Sequence, residues 1–514
     1  MKTRNTKLQT PKKFQISSSK AMAQQQLLGL GAWDFSGAWR LEFGVSPAGL
    51  SDSFVIRHSD FVIPPPVLKS AIGNWKSTIA ALFASFAVSA IATDATLGAS
   101  KNWPQWRGPN AQGVSEAKGL PEKWSPTEHI KWKVDLPGAG DSSPCVWGDR
   151  VFITASIPQG DEIKAGNPDH PKPTGPMAEF RFMRYRFQIL CFNRLSGERI
   201  WAQTVPFENQ TKTAILLMGS YANATPATDG EAVCVYFGMR WLLCYDLEGT
   251  LKWRHEFPDE DPVSAGSDGD SPIVTGDRVI VVREGSTGAA IVVLNKQSGE
   301  TLWQVKRDED QVSYATPVIL DVGGKRQIAV NATKRIRSYD YDTGVVIWEC
   351  DGMTKGVVPT IVFGQGMVFA ASSAGAGIIK AIKLGRTGEL GATDAVAWSA
   401  TRGAPHVSTP LLYHNELYAV TDTGIVTCFD AKTGKARFDE RLPGIPSILA
   451  SPVAANGKVY FLGENGKMVI LKAGPVFEVL ATNEIPEKFH ASPALVDGMI
   501  LLRSEHHLFC ISDN

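Results

Sequence analysis

Aspartate, histidine, tyrosine and asparagine residues recur just before or at the first strand of a repeating unit in this chain. Such side chains act as general acids and bases, as metal ligands or as hydrogen-bond partners of a ligand. The set is Asp141, Tyr221, Asn223, Asp268, Asp270, Tyr314, His406 and His490. If these strand starts surround a central channel, the set forms a polar mouth suited to a small-molecule ligand or a protein partner. Water at a channel mouth favours polar residues too, so both interpretations stay open.

The sequence lacks the spacings that mark most metal and catalytic sites. It has no Cys-x-x-Cys pair, no His-x-x-x-His pair, no Gly-x-Ser-x-Gly turn and no phosphate-binding loop. His506 and His507 are neighbours on a strand, so their rings point to opposite faces. The acidic residues 259–261 and 268–270 suit calcium, or are simply solvated. We therefore predict no metal site and assign no catalytic residue.

These residues need elements to position them, and the elements repeat. Residues 224–257 have the pattern of four short strands separated by turns, and this unit recurs along the chain. An aromatic residue marks the last strand of each copy. The eight positions are Trp132, Trp201, Trp253, Trp303, Trp348, Trp398, Phe438 and Phe477. Their spacing of about 40–50 residues, with one longer gap of 69, predicts four-stranded blades that dock through these aromatics.

Two further signals repeat in register with the aromatics. A turn of the form Asp/Asn-x-x-Thr/Ser-Gly precedes several of them, as in 193–197, 295–299, 340–344 and 430–434. Each blade starts with a Ser-Pro or Thr-Pro pair or its reverse, and proline is tolerated at the first residue of a strand. The starts are Ser143-Pro144, Thr225-Pro226, Ser271-Pro272, Thr316-Pro317, Pro359-Thr360, Thr409-Pro410, Ser451-Pro452 and Ser492-Pro493. The sequence therefore predicts an all-β fold with eight blades.

Ring closure follows from the order of the strands. Residues 491–510 supply three strands of a last blade, and residues 130–134 supply the missing fourth. We expect this N-terminal strand to complete the last blade, which removes two sheet edges. The propeller then spans residues 130–514.

Composition limits the classes of function. The chain of 514 residues has 52 basic and 52 acidic residues, so nothing favours nucleic acid or anionic lipid as a partner. Seven cysteines are present, and Cys191, Cys244, Cys428 and Cys510 fall in third-strand positions, as expected of small buried residues. Cys234 and Cys244 flank one hairpin, so a disulfide between them is the alternative to two free thiols.

The segment before the propeller has three parts. Residues 1–74 form an irregular extension without a motif. Residues 75–95 have the apolar core and the small residues around Ala92 of a cleavable signal peptide, with no lipid-anchor cysteine. The position of this signal suggests a natural start near Val67 or Leu68. The chain is therefore expected to be exported to the periplasm or the exterior, without an integral membrane domain.

Two segments remain outside the repeat. Residues 96–129 form a lead-in that contains Trp103 and Trp106, expected to pack across the outside of the ring or to serve as an aromatic recognition patch. Residues 157–186 form an insertion in the first blade, whose basic and aromatic second half predicts an extended hairpin. It is either a solvated strand face or a docking loop.

The turn-and-tryptophan unit at 340–348 and the strand opening at 451–461 resemble the pyrroloquinoline-quinone (PQQ) repeat, and the resemblance covers roughly residues 103–514. It implies an eight-bladed propeller. The family includes quinoprotein alcohol dehydrogenases, which bind PQQ and calcium, and non-catalytic scaffolds of the BamB type. The chain lacks the adjacent cysteine pair usual in the enzymes, and it lacks the lipid-anchor cysteine of BamB.

The sequence thus favours a non-catalytic binding or scaffold propeller without a cofactor. The alternative is a dehydrogenase that oxidises an alcohol or sugar with PQQ and calcium. In that case Asp268 or Asp270 would be the first candidates for base or metal ligand. The oligomeric state stays open.

Overall fold

Short runs of β-branched and aromatic residues, each ended by a turn, form strands throughout the computed structural model. The model describes residues 40–43, 54–57, 101–163, 182–205, 222–237, 240–257, 270–283, 289–307, 313–354, 356–373, 375 and 377–513. The chain divides into two units, Met1–Ala90 and Ile91–Asn514. In the first, β1 (Arg40–Phe43) pairs antiparallel with β2 (Phe54–Arg57). The predicted signal peptide lies outside the described residues.

The second unit consists of eight blades, whose strands are numbered in chain order. Before them come β3 (Val114–Ser115) and β4 (Ile130–Asp135). Blade 1 contains β5 (Cys145–Trp147), β6 (Arg150–Ile163), β7 (Phe182–Asn193) and β8 (Arg199–Thr204). Blade 2 contains β9 (Ala227–Thr228), β10 (Val233–Phe237), β11 (Trp241–Tyr245) and β12 (Leu251–Glu256). Blade 3 contains β13 (Ile273–Thr275), β14 (Arg278–Arg283), β15 (Ala290–Asn295) and β16 (Thr301–Lys306).

Blade 4 contains β17 (Val318–Val322), β18 (Lys325–Asn331), β19 (Arg335–Asp340) and β20 (Val346–Asp351). Blade 5 contains β21 (Val362–Gly364), β22 (Met367–Ser372), β23 (Ile378–Lys383) and β25 (Val396–Ala400), while its β24 (Gly388–Glu389) extends blade 4. Blade 6 contains β26 (Leu411–Tyr413), β27 (Glu416–Val420), β28 (Ile425–Asp430) and β29 (Ala436–Arg441). Blade 7 contains β30 (Val453–Ala455), β31 (Lys458–Leu462), β32 (Lys467–Lys472) and β33 (Val479–Glu484), with β3 added beside β30. Blade 8 contains β34 (Ala494–Val496), β35 (Met499–Arg503) and β36 (His507–Ser512).

Strand β4 is the fourth strand of blade 8. It pairs antiparallel with β36, and Trp132 lies opposite Cys510. The two ends of the propeller sequence therefore share one sheet, and the prediction of an all-β, eight-bladed fold is confirmed.

The fourth-strand tryptophans join each blade to the next. Five indole Nε1–H groups donate to a backbone carbonyl in the following blade's third-to-fourth-strand turn, at 2.7–3.2 Å. The glycine of that turn lies against the same indole: a Cβ on Gly299 would be 2.6 Å from Trp253. This glycine also has a φ of +72°. The turn motif and the tryptophan thus form one inter-blade contact, which explains why they recur together.

Three blade junctions depart from this pattern, those that follow blades 4, 6 and 7. Trp348 donates to Gln327 Oε1 of its own blade at 3.2 Å, and Gly388 of β24 pairs beside it. Phe477 lies before the fourth strand of blade 7 and not within it, and Ala481 pairs with Ile470 there. Phe477 instead receives the ring of Phe438 from blade 6, edge to face at 5.5 Å. Phe477 is therefore the residue against which the docking ring of the preceding blade packs.

A belt of hydroxyl groups encircles the channel at the blade starts. At seven starts the backbone N–H of the serine or threonine donates to the hydroxyl of the next blade's serine or threonine, at 2.9–3.1 Å. At the eighth junction Thr360 Oγ1 donates to the Thr316 carbonyl at 3.2 Å. Blade 5 is the start where proline precedes threonine, so the hydroxyl is displaced by one residue. All eight of these residues are buried, and the belt satisfies backbone groups that water cannot reach.

The lead-in closes one end of the channel. Trp103 is fully buried and exchanges two backbone hydrogen bonds with Val146, the central residue of β5. Arg107, also buried, donates to the carbonyls of Pro452 and Pro410 at 3.1 and 3.0 Å. The expectation that this segment packs across the outside of the ring is wrong for Trp103 and Arg107, whose partners belong to the innermost strands and their starts. Farther along the lead-in, the backbone N–H of Trp124 donates to Asn483 Oδ1 of β33, a fourth strand, at 3.0 Å. The lead-in thus supplies hydrogen-bond partners for backbone groups of the innermost strands and their starts.

Two further predictions can be compared with the structure: the state of the cysteines and the extended hairpin of the blade 1 insertion. All seven cysteines are buried and free, and Cys234 lies directly opposite Cys244 with the sulfur atoms 3.1 Å apart. Burial raises the pKa of the Cys234 thiol well above its usual range. The hairpin of β6 and β7 places Ile157 opposite Arg186, while residues 164–181 lie outside the described part.

Candidate functional site

A cavity of about 130 Å³ occupies the channel at the blade starts. Its polar lining comes from the connections between blades and from the hydroxyl belt, and four aliphatic residues complete the wall. The lining residues that matter below are Trp106, Asp141, Asn223, Tyr314, Val407 and His490. Because Trp106 belongs to the lead-in, the segment that closes one end also contributes to the cavity. The opposite end is the polar mouth of the channel.

His490 joins two carboxylates across the seam where the ring closes. Its Nδ1 lies 3.1 Å from Asp141 Oδ1, and its Nε2 lies 3.1 Å from Glu464 Oε1. Asp141 follows the closing strand β4, and Glu464 lies in the hairpin between β31 and β32. The hydrogen bond to Asp141 is the main cause that raises the pKa of His490, against partial burial, and Glu464 adds to it. The imidazole ring therefore links blades 7, 8 and 1 at the mouth.

A second histidine pair and a buried arginine lie beside this group. His406 Nδ1 lies 3.0 Å from Asp422 Oδ2, and that hydrogen bond raises the pKa of His406. Arg503 is buried, and its Nη1 donates to the Ser142 carbonyl at 3.2 Å. Burial lowers the pKa of Arg503 to about 10. This guanidinium supports the loop that carries Asp141, since a Cβ on Gly140 would be 2.1 Å from it.

The structure brings together part of the predicted polar set. Asp141, Asn223, Tyr314 and His490 line the cavity. His406 stands at the rim with 41% of its side chain exposed, next to the lining residue Val407. Asp270 is buried beside Ser271 of the hydroxyl belt and does not line the cavity. Tyr221 and Asp268 lie outside the described residues.

Glu464 and Asp422 are members of the site that the sequence prediction missed, and Trp106 was considered only as part of an aromatic recognition patch apart from the polar set. The two carboxylates lie in turns between second and third strands. In an antiparallel blade this turn is at the same end as the start of the first strand, so the topology alone places it at the mouth. That rule would have added both carboxylates to the predicted set. Trp106 had no such signal, because the lead-in is irregular.

Within the described part of the chain, no group of three or more histidine, cysteine or acidic side chains is arranged to hold a metal ion. In the Asp141–His490–Glu464 group, both imidazole nitrogens already face carboxylates. The group therefore acts through charge and hydrogen bonds. Among the same residues, no helix is long and apolar enough to cross a membrane.

The His490 ion pairs predict a pH dependence of stability. A raised pKa in the folded state means that this contribution is fully present below the unfolded value of about 6.5 and is lost as the pH rises through the folded value. We expect the denaturant midpoint to fall as the pH rises from about 6 to about 8. His490→Gln should flatten part of this slope, while His406 continues to contribute to it. Urea unfolding followed by fluorescence at several pH values measures the effect.

A matched variant controls for the loss of a histidine as such. His506→Gln removes an exposed imidazole that forms no ion pair with the described residues. It should keep the slope of the unchanged protein. A slope that stays the same in His490→Gln would contradict the ion pairing at the mouth.

The repeated blades, the closed ring and the polar mouth define the chain as an eight-bladed β-propeller of the PQQ-repeat class. A family model described as outer membrane protein assembly factor BamB matches residues 186–440 and 352–474, which together make up more than half of the chain. The chain belongs to this family.

Solved structures with similar folds include a BamB protein and a quinohemoprotein alcohol dehydrogenase. BamB from Moraxella catarrhalis is 13% identical, with 74% of this chain and 98% of that chain covered and a TM-score of 0.49. Quinohemoprotein alcohol dehydrogenase from Comamonas testosteroni is 11% identical, with 81% of each chain covered and a TM-score of 0.54. At these identities the likeness is one of fold. A comparison with curated protein sequences gives no match.

Proposed function

We propose that this chain is a non-catalytic binding propeller that holds a ligand or a partner at the polar mouth of its channel. The observation that carries the proposal is the cavity in the channel, lined by Trp106 of the lead-in and by hydroxyls of the belt, with paired histidines and carboxylates at its mouth. These groups are already bound to one another in pairs. They are therefore arranged for recognition, and none is left as an isolated base beside the cavity.

The lining of the cavity favours a non-catalytic binding function over that of a PQQ-dependent dehydrogenase. PQQ is a polycarboxylate, and organic cofactor sites commonly occupy about 300–1,000 Å³. The cavity here has about 130 Å³, and neither lysine nor arginine is among its described lining residues. Asp141 would repel a carboxylate, and no described cluster suits calcium. The described residues do not fit the cofactor of the alternative function.

Reconstitution tests the alternative directly. The purified full chain is mixed with PQQ and calcium, and then with a panel of alcohols and aldoses and a redox dye. We expect no change in cofactor absorbance and no dye reduction, while an authentic quinoprotein dehydrogenase reacts in the same assay. Turnover that disappears in Asp268→Ala or Asp270→Ala would overturn the proposal of a non-catalytic propeller.

A photo-crosslinking residue placed at the mouth tests for a protein partner. Position 406 is suitable because the His406 side chain is 41% exposed at the rim. Position 345 is the matched control, since Val345 is 64% exposed in a turn at the opposite end of its blade. A discrete adduct from position 406 and none from position 345 is the expected result. Adducts from position 345 alone would place the contact surface elsewhere.

We also propose that the binding takes place outside the cytoplasm. The basis is the signal-like sequence of residues 75–95, with its apolar core and small residues near Ala92. N-terminal sequencing of the mature protein from its native source tests this directly. A mature chain that retains residues 75–95 would contradict it.

A further inference from the structure

We infer that the cavity at the mouth binds an alkylammonium group, either a free amine or a lysine side chain of a partner. This inference rests on the proposed binding function and specifies the chemistry of what is bound. The residues that carry it are Trp106, Tyr314 and Asp141, which line the same cavity, together with the state of His490.

The carboxylate of Asp141 is the anionic partner. Its Oδ1 faces His490, while its Oδ2 forms no hydrogen bond with the described residues. The side chain is 24% exposed and lines the cavity, so a ligand there can reach this carboxylate. An ammonium group offers several N–H donors to such an oxygen, and a charge-assisted hydrogen bond is among the strong ones.

The aromatic residues supply a surface for the cation and its alkyl stem. Trp106 and Tyr314 both line the cavity, and aromatic rings attract ammonium groups through their electron-rich faces. The Arg107 guanidinium already lies 5.8 Å from the centroid of the Trp106 ring, so Tyr314 is the principal aromatic partner for a bound cation. Val358, Val407 and Leu449 add apolar wall for the methylene groups. The volume of about 130 Å³ suits a group of this size and excludes a multi-ring molecule.

Other ligand classes fit the lining less well. An anion would face Asp141 and Glu464, and both ring nitrogens of His490 are already engaged with these carboxylates. A metal ion lacks a convergent set of three ligands within the described residues. A small organic cation satisfies both the free carboxylate oxygen and the aromatic lining.

Protonation of His490 competes with the bound cation. The charged groups that act on this ring are Asp141, Glu464 and Lys488, and Arg503 lies behind the Asp141 loop. When the imidazole is protonated, it neutralises one of the two carboxylates and repels a second cation. When it is neutral, its charge no longer offsets the carboxylates of Asp141 and Glu464. Binding should therefore be stronger at about pH 8 than at about pH 6.

The test measures binding of propylammonium chloride and of a short blocked peptide with one lysine, by calorimetry or ligand-observed NMR. The same peptide with acetylated lysine is the uncharged control. We expect both cations to bind, the acetylated peptide to fail, and Asp141→Asn to weaken binding by about tenfold or more. Binding of propylammonium but not of the peptide would identify a free amine as the source. Competition between the two would identify a lysine side chain as an alternative occupant of the same cavity.

Two further variants separate recognition from support of the fold. Asp394→Asn removes a carboxylate between β24 and β25 whose side chain is 72% exposed. This variant should leave binding unchanged. His490→Gln removes the nearest competing proton, so binding should depend less on pH between about 6 and 8, while His406 keeps a smaller contribution. Equal binding by Asp141→Asn and the unchanged protein, or equal binding of the acetylated peptide, would overturn the inference. The non-catalytic function fails separately, if PQQ-dependent turnover is found.

Discussion

Replacing Trp132 by alanine is expected to lower the free energy of unfolding by about 3–5 kcal/mol. Trp132 has only 8% of its surface exposed, in the strand that completes blade 8. Its Nε1–H donates to the Arg194 carbonyl of blade 1 at 2.9 Å, and its ring lies against Gly197. The truncation removes the indole from the one junction that joins the two ends of the propeller sequence. Equilibrium unfolding in guanidinium chloride measures the loss.

The matched control is a large apolar residue on a fourth strand that does not dock. Leu302 precedes Trp303 and is 46% exposed. Leu302→Ala should change the free energy of unfolding by no more than about 0.5 kcal/mol, as is usual for surface substitutions. If Trp132→Ala were no more destabilising than Leu302→Ala, the indole would not be the contact that closes the ring.

Replacing Gly299 by alanine is expected to cost about 2–5 kcal/mol, although it adds only a methyl group. Two effects combine at this position. The φ of +72° is unfavourable for alanine, and the new Cβ would approach Trp253 to 2.6 Å. That indole cannot move away freely, since its Nε1–H donates to the Lys296 carbonyl at 2.7 Å. The variant therefore forces blade 2 and blade 3 apart.

Gly457 separates the two effects. Its φ is +73°, but an added Cβ would meet nothing within 4 Å. Gly457→Ala should therefore cost only the conformational part, about 1–2 kcal/mol. The difference between the two variants measures the steric part of the inter-blade contact. Equal losses in Gly299→Ala and Gly457→Ala would show that the turn glycines are required by their φ alone.

The fold could be predicted from sequence because its signals are local and repeated. Each blade carries its own turn, strand start and aromatic residue, and eight copies reduce the effect of any single error. Prediction failed where one blade replaced the local pattern. Phe477 was assigned to a fourth strand by its spacing, whereas the register of blade 7 puts Ala481 there. The spacing of aromatic residues cannot show which side of a junction a ring occupies.

The site could be predicted only in part, because its members come from elements that the repeat does not mark. Asp141 and His490 precede first strands and were found through that rule. Glu464 lies in a short turn whose residues resemble those of any solvated hairpin. The serine and threonine residues of the hydroxyl belt were recognised as strand starts, but their mutual hydrogen bonds exist only once the ring is closed. Such contacts depend on the whole architecture and leave no local pattern.

The lead-in lies in the channel beside the cavity, where Trp103 and Arg107 bind backbone groups of the innermost strands and their starts, and Trp106 lines the cavity. Access along that side of the channel is thereby limited, and the polar mouth is the route for an occupant of the cavity. A macromolecule bound over that route would keep the occupant in the cavity until the macromolecule itself dissociated. Binding would then be ordered: the small ligand binds before the macromolecule and dissociates after it.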